Sequence, residues 1–167
     1  MHLLITLRKK LLPGWTALFL LLFVCVIGNY EARAESEQID YHNKFSFFGG
    51  VTQEDSNLDG TLALEYERLL IKHLGIGVVL SEFRSGDDKR SWAFLIPAFI
   101  HPYAGWYVVL GPGIEIEGSE RIFIFRSGVG YDFELWPRWS IAPEFNVDFV
   151  GGGDVKLVYG LALSYAF

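Results

Sequence analysis

Hydrophobic and polar residues alternate along most of this chain, and the alternation is clearest at its end. Over Val155–Phe167 the odd positions Val155, Leu157, Tyr159, Leu161, Leu163, Tyr165 and Phe167 are large and apolar, while the even positions Lys156, Val158, Gly160, Ala162, Ser164 and Ala166 are small or polar. Successive Cβ atoms of a strand point to opposite sides of its sheet, so a period of two predicts a strand. From Asn43 onward the same pattern recurs in eight segments separated by turn-forming residues. The predicted strands are Asn43–Gln53, Thr61–Arg68, Gly75–Phe83, Ser91–His101, Trp106–Glu117, Ile122–Leu135, one reaching Phe149 after Trp139, and Val155–Phe167.

Segments of about ten residues are long for a soluble strand and match a tilted crossing of a bilayer. The links alternate in kind. Those after the first, third, fifth and seventh strands are polar or charged, as in Glu54–Gly60 and Arg84–Arg90, and the others are short and rich in proline or aromatics. That asymmetry predicts longer loops outside and tight turns at the periplasmic end. Tyr66, Trp106, Trp136, Trp139 and Tyr165 then share one height near the periplasmic rim, where amphipathic rings are stable. The segment Ser91–His101 is apolar on both faces; if Trp92, Phe94, Ile96 and Ile100 meet lipid, Leu95 and Phe99 must pack inside. Pro97, Pro112 and Pro143 fall within predicted strands, where each removes a ladder donor, so bulges or breaks are expected there.

The small face carries the charges. Lys44, Glu65, Glu67, Glu115, Glu117, Arg126, Asp132, Glu134, Glu144, Asn146, Asp148 and Lys156 all take interior positions. An ionised group aimed into hydrocarbon costs several kcal/mol, on the order of 2–4, so this placement favours lipid on the other face. Counting heights puts Arg126 and Lys156 in the outer half with Glu115 and Asp148 as partners, and Glu144 in a lower, acid-rich group. An eight-stranded interior is narrow enough for side chains to fill, which predicts a plugged lumen of ion pairs.

Ahead of the barrel lies a targeting pattern. Arg8, Lys9 and Lys10 precede an apolar stretch from Trp15 to Ile27, and Ala32-Arg33-Ala34 is a small-x-small cleavage site at Ala32 and Ala34. Residues 1–34 are expected to be a cleaved signal peptide, 35–42 a polar periplasmic lead and 43–167 the barrel. Removing residues 1–34 takes away four of the fourteen basic residues and one of the twenty acids, leaving a net charge near −9. So acidic a chain is a poor nucleic-acid partner. The one cysteine, Cys25, goes with the leader, which excludes disulfides, a cysteine nucleophile and thiolate metal sites from the mature chain.

Candidate chemistry is sparse. His42, His73 and His101 all map to the periplasmic end, and none has a serine and an acid spaced to form a triad on one strand face. Gly151-Gly152-Gly153 lies between two strands, where a phosphate loop has no helix to open. No cofactor or metal is expected. The nearest material for an outer-rim catalytic cluster is Ser81, Glu82 and Ser91. Clustered lower carboxylates could do acid/base or cation chemistry, but structural ion-pair packing is the favoured account, since such networks perturb carboxylates without catalysis.

The segment count, the terminal strand with Gly160, Leu163, Tyr165 and Phe167, and the stretch Pro102-Tyr103-Ala104-Gly105 followed by Leu110-Gly111-Pro112-Gly113 resemble the small outer-membrane β-barrel proteins of the OmpA/OmpX-like type. The resemblance spans roughly Asn43 to Phe167. It implies an all-β, eight-stranded antiparallel up-and-down transmembrane β-barrel in the bacterial outer membrane, and a monomer. Gly160, Leu163, Tyr165 and Phe167 look like the signal read by the barrel assembly machinery, and outer-membrane lipid and lipopolysaccharide are the implied surroundings. Members of the family include structural, adhesive and lipid-modifying proteins; lipid A deacylase barrels carry an H-x-S motif on a late strand, and this sequence has none. The expected role is structural or surface-interacting and non-enzymatic. A lipid-modifying enzyme, a small channel and a soluble lipocalin-like binder with its greasy faces inward are the competing readings.

Overall fold

A computed structural model describes residues 41–55, 57–84 and 90–167. The expected signal peptide, with Ala32 and Ala34, and most of the expected lead lie outside the described residues. Within them are ten strands: β1 Asn43–Glu54, β2 Asn57–Ile71, β3 Leu74–Arg84, β4 Arg90–Leu95, β5 Ala98–Tyr103, β6 Trp106–Glu117, β7 Glu120–Tyr131, β8 Phe133–Trp136, β9 Trp139–Val150 and β10 Val155–Ala166. Each pairs antiparallel with its neighbours, and β10 pairs both β9 and β1, closing the sheet on itself. Because β5 continues β4 and β8 continues β7, ten strands make eight staves. Closure leaves the sheet without the long free edge that an open sheet presents to other chains.

Burial follows the sequence parity and settles which face is which. On β10 Val158, Ala162 and Ser164 are buried, while Tyr159, Leu161 and Leu163 are exposed. Phe45, Phe47, Leu62, Leu64, Val78, Leu80, Ile114, Phe123, Phe125 and Phe145 likewise face outward. A lipocalin-like binder needs those side chains around an internal ligand, so that reading is overturned. Leu95 and Phe99 are buried and Trp92, Phe94, Ile96 and Ile100 exposed, as the doubly apolar segment requires. Phe48, Val79, Leu95, Phe99, Tyr107 and Ile124 fill the barrel between the polar groups. Gly50 and Gly160 oppose each other across the closing seam, and a Cβ on either would strike partner backbone and the Phe48 ring. Their bareness lets that ring lie across the lumen.

The sequence expectations for the links are corrected. Asn57–Gly60, read as loop, belongs to β2, and Glu54 pairs Asn57, so the first hairpin is tight. Its polar residues are spent on the ladder, with Asp55 at φ 51° making the reversal. At the other end β2 runs on to Ile71, leaving only Lys72 and His73 in the link. The loop asymmetry is correspondingly slight: the loop-end links are short too, Gly118–Ser119 and Gly151–Asp154 among them.

The prolines act less directly than expected. Pro97 does break its stave, between β4 and β5, yet its carbonyl still accepts from Gly77 N at 2.9 Å. Pro112 and Pro143 sit inside unbroken strands, and the interruption falls in the facing strand. Ile96 N donates to Pro112 O at 3.0 Å, so Pro112 lies opposite the Pro97 break and has nothing to return there. The register puts Tyr131 opposite Pro143, where β7 gives way to β8 at Asp132. A proline without an N–H is accommodated where its partner strand needs none.

Candidate functional site

The lumen is organised by one row of inward positions. Lys44 opposes Glu67 and Glu67 opposes Gly77. Gly77 meets Pro97, and Pro97 packs on Gly111, which has no Cβ to obstruct it. Gly111 opposes Arg126, Arg126 opposes Asp148, Asp148 opposes Lys156, and Lys156 opposes Glu54. One circuit therefore returns to β1 ten residues beyond its start. Because strands of a closed barrel are tilted, a row perpendicular to them climbs as it goes round. This row delivers charges to both ends of the lumen.

Toward the loop end each base has a buried acid of its own, and Lys156 has a second, more exposed one in Glu54. Arg126 Nε and a terminal guanidinium nitrogen donate to the two Asp148 oxygens at 2.7 and 2.8 Å, with both side chains almost fully buried. Such a fork fixes orientation as well as charge. Lys156 Nζ donates to Glu115 Oε1 and Oε2 at 2.9 and 3.1 Å and lies 3.4 Å from Glu54 Oε2. The hydroxyls of Thr52 and Thr61, buried on adjacent strands, are 2.6 Å apart.

Toward the chain-terminus end the charges are shared. Lys44 Nζ is 3.0 Å from Asp132 Oδ2 and 3.4 Å from Glu67 Oε2, and its ammonium lies 4.6 Å from the Tyr107 ring centre. His101 Nε2 is 2.6 Å from Glu67 Oε1, and Ser140 Oγ donates to Asp132 Oδ1 at 2.9 Å. A cavity of about 170 Å³ opens here, lined by Tyr41, Lys44, Glu67, Leu69, His101 and Asp132 among others.

Between the two clusters Tyr107 Oη donates to Glu144 Oε1 at 2.5 Å, and Asn146 Nδ2 approaches Glu144 Oε2 at 3.4 Å. Glu65 is buried on the same inner wall. Ser81 Oγ and Asn146 Oδ1 are buried with no hydrogen-bond partner among the described residues, the kind of group an internal water satisfies.

Of the sequence-derived interior residues, Glu115, Arg126, Asp148 and Lys156 therefore meet as two ion pairs, and Glu144 stands apart from them with Tyr107. Glu117 and Glu134 are corrections: both are exposed, at the last residue of β6 and on the four-residue β8, where the staves end and water replaces lumen. Tyr107 was not among the interior candidates, nor was the Glu67–His101 contact. Their signal was parity, since Tyr107 alternates with Trp106 and Val108 on a strand whose inner face was legible from Gly111 to Glu117. Ser81, Glu82 and Ser91 do not converge. Ser81 is fully buried inside, whereas Glu82 lies on the outer wall and binds Arg84 at 3.1 Å. Among the described residues no cluster of three or more His, Cys, Asp or Glu side chains is arranged to hold a metal ion.

The terminal strand is tied in at the terminus end. Phe167 and Asn43 exchange backbone hydrogen bonds at 3.0 and 2.8 Å, and Tyr66 Oη donates to the Asn43 side chain at 2.8 Å. Tyr165 lies beside the rings of Trp139, at 5.0 Å between centres, and Phe167, at 6.2 Å. Leu163 faces outward and Gly160 inward against Phe48. Arg138, in the β8–β9 turn, donates to Tyr41 Oη at 3.0 Å and Tyr165 Oη at 3.3 Å.

No protein-family model and no curated protein matches this chain. Solved structures do. The barrel is similar to Neisserial surface protein A, with a TM-score of 0.57 at 9% identity over 76% of this chain and 97% of that one. It is similar to Ail, the attachment invasion locus protein of Yersinia pestis, with a TM-score of 0.55 at 15% identity over 77% and 100%. The outer membrane protein OprG of Pseudomonas aeruginosa gives 0.54 at 9% identity over 75% and 96%. With an all-antiparallel closed sheet of eight staves and an outward apolar wall, the chain has the fold of the small eight-stranded outer-membrane β-barrels.

Proposed function

We propose that this chain is an integral protein of the bacterial outer membrane with a structural or surface-interaction role and no enzymatic activity. The observation that carries the reading is the division of the barrel wall: large apolar side chains outward on every stave, ion pairs and small residues inward. In water that outer wall would be a single apolar surface far beyond the few hundred Å² that soluble monomers tolerate. In a bilayer it is the stable arrangement. The likeness to Ail, an attachment and invasion protein, and to a Neisserial surface protein supports a surface role at the level of fold.

On this reading residues 1–34 direct export and are removed after Ala34, and Gly160, Leu163, Tyr165 and Phe167 address the chain to the assembly machinery. The mature barrel acts as a monomer among lipid and lipopolysaccharide, without cofactor or nucleic acid. Heat-modifiable migration in gels and a β-type circular dichroism spectrum in detergent are expected. Recovery of the protein in the freely soluble periplasmic fraction after osmotic shock would refute it. Lipid A mass spectra that differ between cells with and without the protein would replace it with the lipid-modifying reading.

A further inference from the structure

The outward residues nearest the loop end are not alike around the barrel. On β9, β10, β1 and β2 they are Phe149, Val155, Gln53 and Leu58, all uncharged. On the other side they are Arg84, the last residue of β3; Arg90, the first of β4; Ile116 on β6; and Arg121, the second of β7. Arg84 and Arg90 oppose each other directly, with side chains 55% and 62% exposed. Both lean on Glu82, at 3.1 and 3.7 Å, which leaves this group one net positive charge and open donors. The outward row through Glu82 continues to Trp92, Ile116 and then Arg121. Arg121 therefore stands three strands away, roughly 10–14 Å at an interstrand spacing of about 4.8 Å.

Below the arginines the same staves present Trp92, Phe94, Ile114 and Phe123, all strongly exposed. Two cationic points at the rim over a continuous apolar wall are complementary to one kind of molecule. All three cations are arginines, whose planar fork matches phosphate oxygens in pairs where a lysine is only a point charge.

Building on the membrane reading above, we propose that the outer wall of β3, β4, β6 and β7 binds a bisphosphorylated lipid at the loop end. One phosphate is held by Arg84 and Arg90 and the other by Arg121, and the acyl chains lie on Trp92, Phe94 and Ile114. The opposite half of the rim, with no outward charge, takes no such lipid.

The test uses the mature chain purified in a zwitterionic detergent and placed in phosphatidylcholine nanodiscs. The discs are doped with a synthetic glycolipid in bisphosphorylated or monophosphorylated form, and lipid retained by the protein is measured by mass spectrometry. The bisphosphorylated form should be enriched at least tenfold over phosphatidylcholine and several-fold over the monophosphorylated one. Arg121→Gln should remove the difference between the two glycolipids, and Arg84→Gln/Arg90→Gln/Arg121→Gln should bring enrichment below twofold. Arg68→Gln, an exposed outward arginine at the terminus end, should leave enrichment unchanged. Equal retention of the two glycolipids by the unmodified protein, or enrichment that survives the triple change, overturns the proposal. So does displacement of the glycolipid by millimolar inorganic phosphate, which would make this a site for free phosphate. A protein that never enters the discs and stays soluble refutes the membrane reading itself, an outcome distinct from the others.

Discussion

The two ends of the lumen solve the same problem, charge inside a narrow barrel, in different ways. At the loop end each base has its own buried acid: Arg126 forks onto Asp148, and Lys156 holds Glu115. At the terminus end one lysine serves Glu67 and Asp132, a histidine and a serine supply the remaining contacts, and a cavity adjoins them. The Arg126–Asp148 fork depends wholly on itself, because either charge left alone there has no other partner, whereas Lys156 keeps Glu54 as a second acid nearer the rim. Shared pairs beside a cavity lose less when one member goes, since water can replace it. The difference assigns sealing to the loop end and hydration to the terminus end.

That contrast can be broken in order of effect, each time by urea unfolding in detergent micelles. Asp148→Ala strands Arg126 and should cost about 3–5 kcal/mol. Arg126→Met/Asp148→Leu, which removes both charges and keeps the volume, should recover most of it; a double variant as unstable as the single one would show that the fork is not the cause. Tyr107→Phe leaves Glu144 Oε1 without its donor and should cost about 1–3 kcal/mol. Glu115→Gln should cost about 1–2 kcal/mol, because Lys156 retains Glu54. Lys44→Met should cost about 1–2 kcal/mol, less than the loss of Asp148, because the adjoining cavity lets water reach the Glu67 and Asp132 carboxylates. A Lys44 loss as large as that of Asp148 would erase the distinction between the two ends.

Much of this is legible in the sequence, and the reasons are local. Trp106–Glu117 and Val155–Ala166 are strands flanked on both sides by turn residues or the chain end, and their limits can be read from the sequence almost to the residue. Parity also placed Arg126, Asp148, Lys156 and Glu115 on the inner wall. Which acid meets which base depends on register between strands far apart in sequence, and a single strand's pattern does not contain it. Asn57–Gly60 looked like a loop because polar residues in a hairpin and in a solvated strand end are chemically alike. Pro112 and Pro143 looked disruptive because the missing partner that accommodates each lies on another strand. Tyr107 is not legible as a polar interior group, because an aromatic between aliphatics reads as packing and its hydroxyl acquires meaning only opposite Glu144.

The inward row that leaves β1 at Lys44 and rejoins it at Glu54 has a further consequence for assembly. The offset it measures is an integer belonging to the whole cylinder, and no local adjustment can alter it by a fraction. A slip of one residue at any seam would turn apolar side chains inward and charges into lipid, so only even steps are available. A slip of two at the β1–β10 seam would keep the faces correct, but it would carry Lys156 away from Glu54 and Ser164 away from Ser46, whose hydroxyls are 2.8 Å apart. The apolar wall cannot distinguish those two cylinders. The lumen charges can, and they select which closed form this chain adopts.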